Sequence, residues 1–366
     1  MSHRSETRHL HRKGDPYPVV LREGLINDVG TLVRRLWRAP RIAVVTQARV
    51  ERLHGPRLFQ SLARADIDTL TLKMAEGETH KNLRTVSRLY DRLVDRGFTR
   101  DDGILALGGG TVGDTAGFVA ATFLRGIPYA QIPTTLLAQV DSAIGGKVGV
   151  NHPRGKNLIG AIYRPSAVWI DPSLLGTLPA RELRSGLFEL LKYGFIGVPR
   201  LLGRMERQSL TIGSADLARS IGEGVRRKLE VVREDEREHG LRRILNFGHT
   251  IGHGLEAASS YGLLRHGEAV GWGMIGAVRL AARRGSLDAR TAERLESAVV
   301  AVGPRPSLRR LSARAVLDAI GRDKKRNREG LRFVLPVGWA RVKIIERFPL
   351  DEIAWALVSL GVRADA

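Results

Sequence analysis

Three of the chain's ten histidines, His249, His253 and His266, fall within eighteen positions of the segment LNFGHTIGHGLEAASSYGLLRHGEAVGWG, residues 245–273. Imidazoles gathered this closely hold metal ions or move protons. GHTIGHGLE puts His249 and His253 one turn apart on a helix, with His266 in the loop before the next helix, yet the glutamate of a zinc-peptidase HExxH is not between the first pair. A carboxylate must come from elsewhere. RELRSGLFELLKYG offers Glu189 among Leu and Phe, where a carboxylate is costly to bury unless paired or bound to a cation, with Lys192 three residues on along the same face. One carboxylate, two imidazoles and an open position make the donor set of a catalytic zinc site. Any one of these histidines, taken alone, reads as a satisfied structural residue; three together with Glu189 read better as a metal site, with a structural cluster as the alternative.

A second group lies in LALGGGTVGDTAGFVAA. Gly108-x-Gly110-x-x-Gly113, with Gly109, Thr111, Val112 and Asp114 around it, directly follows a strand pattern and opens a helix. Bare backbone N–H groups at a helix N-terminus suit a dinucleotide pyrophosphate. The acidic residue normally found about twenty positions on is missing, since no Asp or Glu separates Asp114 from Asp141. The alternative is therefore a plain tight turn. Residues 125–160 then gather Arg125, Thr134, Thr135, Asp141, Lys147, Lys156 and Asn157 among glycines and prolines, a cluster suited to a small, polyhydroxylated, anionic ligand or, more simply, a solvated loop region.

Lysine usage adds a pointer. The chain has 49 Arg and only 10 Lys, and seven of those lysines, Lys81, Lys147, Lys156, Lys192, Lys228, Lys324 and Lys325, fall in these and neighbouring motifs. Where Arg has taken most basic positions, a retained ammonium marks a place that needs a compact or titratable charge, the alternative being a surface salt bridge.

These residues need a scaffold. RIAVVT (41–46) and GILALGGG read as buried strands and NLRTVSRLYDRLVDRG as an amphipathic helix, so the first half is expected to be an α/β nucleotide-binding domain with a parallel, Rossmann-like sheet. After DPSLLGTLPARELRSG the strand signals fade into long helical patterns. The expected division is 1–178 for the α/β domain, with 1–16 a mobile basic tail, and 179–366 for a mostly α-helical metal- and substrate-binding domain. With 366 residues, 43% hydrophobic, each half can bury a core. No cysteine is present, which excludes disulfides, a Cys nucleophile and Cys-ligated metal. No stretch approaches the roughly 20 apolar residues of a membrane span, and the N-terminus lacks the apolar core of a signal peptide. The net charge of +21 suggests nucleic acid, but the arginines are dispersed along the chain without a basic block, which reads as solvated faces and no nucleic-acid partner.

The runs GGGTVGD, AATFLRG, IPTTLLAQVDSAIGGKVGVNHPRGKNLIGA, RSGLFELLKYG, LRRILNFGHTIGHGLE, HGEAV and DKK occur in an order and spacing that closely resembles the 3-dehydroquinate synthase family, over roughly residues 20–345. That resemblance implies a cytoplasmic homodimer that uses NAD and a divalent metal, zinc or cobalt, to convert the phosphosugar acid DAHP into 3-dehydroquinate and phosphate. It implies metal ligands at Glu189, His249 and His266 and leaves His253 as a substrate-side proton-transfer group. NAD contacts are implied at Glu76, Gly77, Glu78, Lys81, Gly108 to Asp114, Thr134, Thr135, Lys147, Lys156 and Leu174, Leu175, Gly176 and Thr177. Substrate contacts are implied at Asp141, Lys147, Asn157, Lys192, Lys228, Arg242, Asn246 and Lys324 or Lys325, with Arg125 reaching the neighbouring subunit. Two positions depart from the family: Thr46-Gln47 where Asp or Asn often holds the adenosine ribose, and Glu76 where Asp is usual. The nearest rivals are another sugar phosphate cyclase, making 2-epi-5-epi-valiolone or 2-deoxy-scyllo-inosose, and a metal-dependent polyol dehydrogenase.

Overall fold

A computed structural model describes residues 7–11, 15, 17–38, 41–259, 262–324 and 331–364, the side chains of 323 and 324 excepted. Lys325 and the side chain of Lys324 thus lie outside the described residues. The chain divides into two compact units, Met1–Pro179 and Ala180–Ala366.

In the first unit the elements are β1 (Arg8–His9), β2 (Val19–Leu21), α1 (Val29–Leu36), β3 (Arg41–Gln47), α2 (Ala48–Arg64), β4 (Asp68–Met74), α3 (Leu83–Asp95), β5 (Gly103–Gly108), α4 (Gly110–Thr122), β6 (Tyr129–Pro133), β7 (Lys147–His152), β8 (Gly155–Ile162) and β9 (Ala167–Ile170). Seven strands form one sheet in the order β1-β2-β9-β6-β5-β3-β4, parallel except for β1 against β2. Strands β5 and β9 are buried along their whole length because helices cover both faces of the sheet, which is why they read as continuous apolar runs. Val86, Leu89 and Leu93 of α3 pack with Ala116 and Val119 of α4 in one core, while Val29 and Val33 of α1 pack with Leu58 and Leu62 of α2 in the other.

From β3 the chain passes to β4 on one side and then returns to β5 on the other. The carboxyl ends of β3 and β5 therefore flank a topological switch point, the usual place for a ligand crevice in an open α/β sheet. Residues 8 and 9, placed in a mobile tail on sequence grounds, instead pair with Leu21 and Val20 as an edge strand. Leu10 is the reason: it is buried at 3% exposure and its N–H donates to the Val19 carbonyl. At the far end of β9, the fully buried Asp171 carboxylate accepts from the backbone N–H groups of Gly24 (2.9 Å) and Ile26 (3.1 Å) and from Ser173, tying the N-terminal segment to the turn 172–177.

Strands β7 and β8 form a separate antiparallel hairpin. Its glycines are steric: a Cβ on Gly160 would sit 2.3 Å from the Val148 carbonyl oxygen, and one on Gly117 of α4 2.4 Å from Val148 Cγ1.

The second unit carries α5 (Ala180–Phe195), α6 (Pro199–Glu206), α7 (Ala215–Glu234), α8 (His249–Ala258), α9 (His266–Arg283), α10 (Ala289–Ala301), α11 (Ala313–Lys324), the hairpin β10 (Phe333–Gly338) and β11 (Arg341–Ile345), and α12 (Leu350–Ser359). Helix α9 is central, with thirteen of its eighteen residues buried. Glycines let its neighbours approach closely. A Cβ on Gly273 would sit 1.9 Å from the Gly248 carbonyl oxygen, and one on Gly267 1.9 Å from that of Ser185 on α5. The hairpin adds β structure to a half that reads from sequence as helical; Phe333, Val334 and Leu335 are buried there.

Candidate active site

Helices α5, α8 and α9 bring Glu189 together with His249, His253 and His266. Glu189 is fully buried, and its Oε1 lies 3.5 Å from His249 Nε2 and 3.4 Å from His266 Nε2. Two ligands each about 2.0–2.1 Å from a tetrahedral ion stand about 3.3 Å apart, so these separations suit a shared cation without rearrangement.

The other imidazole nitrogen is fixed in both rings. His249 Nδ1 is 3.0 Å from the Phe247 carbonyl oxygen and His266 Nδ1 3.0 Å from Glu256 Oε2. A carbonyl and a carboxylate only accept, so Nδ1–H donates in each case and Nε2 is the nitrogen turned toward Glu189. His253 is exposed, and its ring centroid lies 5.3 Å from that of His249 and 5.8 Å from that of His266. The three imidazoles can supply ligand atoms within 4.8 Å of one another. His266 is the first residue of α9 and not part of the preceding loop, held there because Arg181 grips Glu268 in a bidentate pair (2.7 and 2.7 Å) while Glu268 also accepts from the Arg265 N–H (2.8 Å). Gly267 N–H donates to Ser185 Oγ at 3.0 Å, one turn before Glu189 on α5.

Protonation follows the same geometry. Burial holds His249 down to about 3 against the pull of Glu189, whereas His266, which burial would also lower, is carried up to about 10 by hydrogen bonds to Glu189 and Glu256. Lys192, 1% exposed, pairs with Glu189 Oε2 at 2.6 Å. Lys228 is buried on α7. Arg242 is also buried, with Nη1 donating to the Glu236 carbonyl at 2.5 Å, and Asn246 Nδ2 donates to Glu238 Oε1 at 2.7 Å.

In the first unit, the glycine turn sits at the carboxyl end of β5, with Gly109 as the residue before α4. The glycines are required by contact. A Cβ on Gly108 would meet Val112 at 2.6 Å, on Gly109 Thr135 at 3.0 Å, on Gly110 Ser142 at 2.8 Å, and on Gly113 Gln131 Oε1 at 2.4 Å. Thr134 N–H donates to the Gly108 carbonyl, so the two threonines line the turn.

Beside the turn, the buried Lys81 Nζ reaches Asp114 Oδ2 at 2.5 Å and also Asn157 Oδ1, and Glu78 accepts from Thr111 Oγ1 (3.1 Å) and from Asn151 Nδ2 (2.9 Å). Asn157 has φ 54, a left-handed backbone rare for a residue with a side chain. Asp141 and Lys156 are half-buried, and Glu76, Arg125 and Lys147 exposed. Leu174 and Leu175 point into the core, so they offer a ligand only backbone, and Thr177 Oγ1 bonds the buried His54 Nε2 at 3.1 Å.

Sequence reasoning did not single out Glu256, Glu268, Arg181 or Ser185. For Glu256 a signal existed: it follows His249 by seven residues, two turns along the same face of a helix, so its carboxylate falls on the side of α8 that carries the imidazoles.

A switch-point α/β unit with a glycine turn, and a helical unit with one carboxylate facing two of three clustered imidazoles, belong here to the fold of the sugar phosphate cyclases. The solved 2-epi-5-epi-valiolone synthase of Streptomyces hygroscopicus, with NAD+ and Zn2+ bound, superposes with a TM-score of 0.84 at 30% identity, covering 94% of this chain and 96% of that one. Within that class, the family patterns described as 3-dehydroquinate synthase N-terminal and C-terminal match residues 71–185 and 186–326. The 3-dehydroquinate synthase of Geobacter metallireducens is 45% identical over 333 residues, 90% of this chain and 92% of the relative, and that of Desulforamulus reducens 43% identical over 334 residues, 90% and 93%. The chain belongs to the 3-dehydroquinate synthase family.

Proposed function

We propose that the chain converts DAHP into 3-dehydroquinate and phosphate, with NAD held by the first unit and a divalent ion, zinc or cobalt, by the second. The observation that carries this reading is likeness to curated 3-dehydroquinate synthases along nine-tenths of the chain. Glu189, His249 and His266 would hold the ion: the O···N separations and the Nδ1 anchors fit it. Gly108 to Asp114, Thr134 and Thr135 would take the dinucleotide pyrophosphate, with Glu78 and Lys81 bracing the turn. When bound, NAD+ supplies a reversible hydride acceptor and the ion a Lewis acid that favours ionised substrate hydroxyls.

The chain's own residues do the rest. His253, exposed beside the ligands, hydrogen-bonds substrate and moves a proton. Lys147, Lys192, Lys228, Arg242, Asn246, Asp141, Asn157 and Lys324 or Lys325 orient the carboxylate, hydroxyls and phosphate, and the positive charge of the lysines and Arg242 stabilises the phosphate as it leaves. These cations hold the phosphate beside the neighbouring C–H, and with no carboxylate left unassigned to act as base, a phosphate oxygen takes that proton before the group departs.

The working form is a cytoplasmic homodimer in which Arg125 reaches its partner. Leu124, next to that arginine in the chain, and Leu158 and Ile162 on β8 are exposed apolar residues, which supports such an interface. Among the described residues no helix is long and apolar enough to cross a membrane.

The test is incubation with DAHP and substoichiometric NAD+: phosphate and 3-dehydroquinate should appear in equal amounts without accumulation of NADH. Turnover of sedoheptulose 7-phosphate in place of DAHP would assign the valiolone reaction instead. Steady NADH production would make the protein a polyol dehydrogenase.

A further inference from the structure

The two imidazoles that face Glu189 are oriented by different means. His249 is held by the main-chain carbonyl of Phe247, two residues before it, whereas His266 is held by a side chain, the carboxylate of Glu256 at 3.0 Å. Glu256 is 3% exposed on α8, seven residues after His249 and so on the same face two turns along. Burying a carboxylate there is costly unless its charge is used.

We propose that Glu256 is the positioning residue of this centre, fixing which nitrogen of His266 turns toward Glu189 and thereby setting how tightly a divalent cation is held. The inference rests on the metal reading of Glu189, His249 and His266. With Glu256 ionised, Nδ1 must carry the hydrogen and the ring cannot flip without losing that bond, so Nε2 stays 3.4 Å from Glu189 Oε1. The carboxylate also makes the imidazole a better electron donor and adds a negative charge near the cation. A neutral residue supplies neither. Because the matching anchor of His249 is backbone, Glu256 is the orienting group that a substitution can remove.

The test uses the full-length apoprotein and zinc alone, with affinity read by competition against a chromophoric chelator. Glu256→Gln keeps the shape and removes the charge; Glu256→Ala removes both. Zinc affinity should fall roughly 10-fold in Glu256→Gln and up to roughly 100-fold in Glu256→Ala. The visible bands of the cobalt-loaded Glu256→Gln protein should shift, while its apoprotein melts as wild type does. Wild-type affinity in Glu256→Gln overturns the proposal. So does a weakened affinity matched by an equally destabilised apoprotein, which would make Glu256 a packing residue only. His249→Ala separates the two levels: if it binds zinc like wild type, the metal centre itself is misassigned, and that failure is distinct from an intact centre indifferent to Glu256.

Discussion

Replacing Gly267 by alanine should damage the protein at a point where no charge or catalytic group changes. The new methyl would lie 1.9 Å from the Ser185 carbonyl oxygen. Relieving that to an ordinary contact of about 3.2 Å parts α5 and α9 by about 1.3 Å. Overpacking of this kind costs about 1–3 kcal/mol. Loss of the Gly267 N–H bond to Ser185 Oγ adds about 1 kcal/mol, and the better helix propensity of alanine returns about as much. The net loss is about 1–3 kcal/mol, a fall of roughly 2–12 °C in Tm for a unit of this size. The same parting lengthens the 3.4 Å span between Glu189 and His266 beyond what one tetrahedral ion bridges, so zinc affinity should drop together with stability. Differential scanning calorimetry of the apoprotein and chelator competition measure the two effects. Gly321→Ala is the control: nothing lies within 4 Å of a Cβ there, and the change should be neutral or stabilising by about 0.5–1 kcal/mol. A Gly267→Ala protein with wild-type Tm and zinc affinity would refute the idea that this close helix approach sets the ligand spacing.

His253→Ala should retain about one zinc per chain after dialysis against a weak chelator yet lose roughly 100-fold in turnover, whereas His249→Ala should lose both; a metal-free His253→Ala protein would reverse the assignment. Lys192→Met should destabilise the apoprotein by about 3–5 kcal/mol, since it removes the ammonium paired with buried Glu189, and zinc should restore more stability to this variant than to wild type; equal zinc-induced shifts in Tm would count against it. His54 is kept below its ordinary value by burial and by Arg57, against the opposing pull of Asp171. The unfolded chain therefore binds more protons below about pH 6.5, so His54's contribution is fully present above that pH and is lost as the solution is acidified. Between pH 6.5 and 5, urea unfolding of wild type should weaken faster than that of His54→Gln, and parallel curves would exclude this source.

Much of the scaffold was legible because periodicity reports burial directly: β3, α3, β5 and the start of α4 fall where apolar runs, amphipathic spacing and glycines put them. The gathering of Glu189 with the three histidines was legible because a carboxylate among apolar residues demands a partner. What stayed hidden depends on distances between elements. Nothing in HGEAV says that Gly267 meets Ser185, and nothing in LFEL says which two of the three imidazoles its glutamate faces. The β10–β11 hairpin is local in sequence, yet its Phe, Val and Leu fit a helix pattern equally well until a Gly-Trp-Ala turn at 338–340 decides otherwise. Leu10 shows the same limit at the N-terminus, where basic composition outweighs one apolar residue unless its pocket is known.

Asp171 also has a consequence for how the protein comes into being. It joins residues 145 and 147 positions apart, and β2 finds its parallel partner in β9 at a similar separation. Such long-range closure is slow, because loop entropy is lost before any contact compensates it. At synthesis rates of about 5–20 residues per second, the segment around Gly24 waits roughly 7–30 s for Asp171 to be made. Throughout that interval Val19, Val20 and Leu21 have a strand edge and no neighbour on the β9 side. The nascent first unit therefore exposes an apolar edge until its last strand arrives, which makes the ribosome-bound chain, more than the finished protein, the species that needs protection from aggregation.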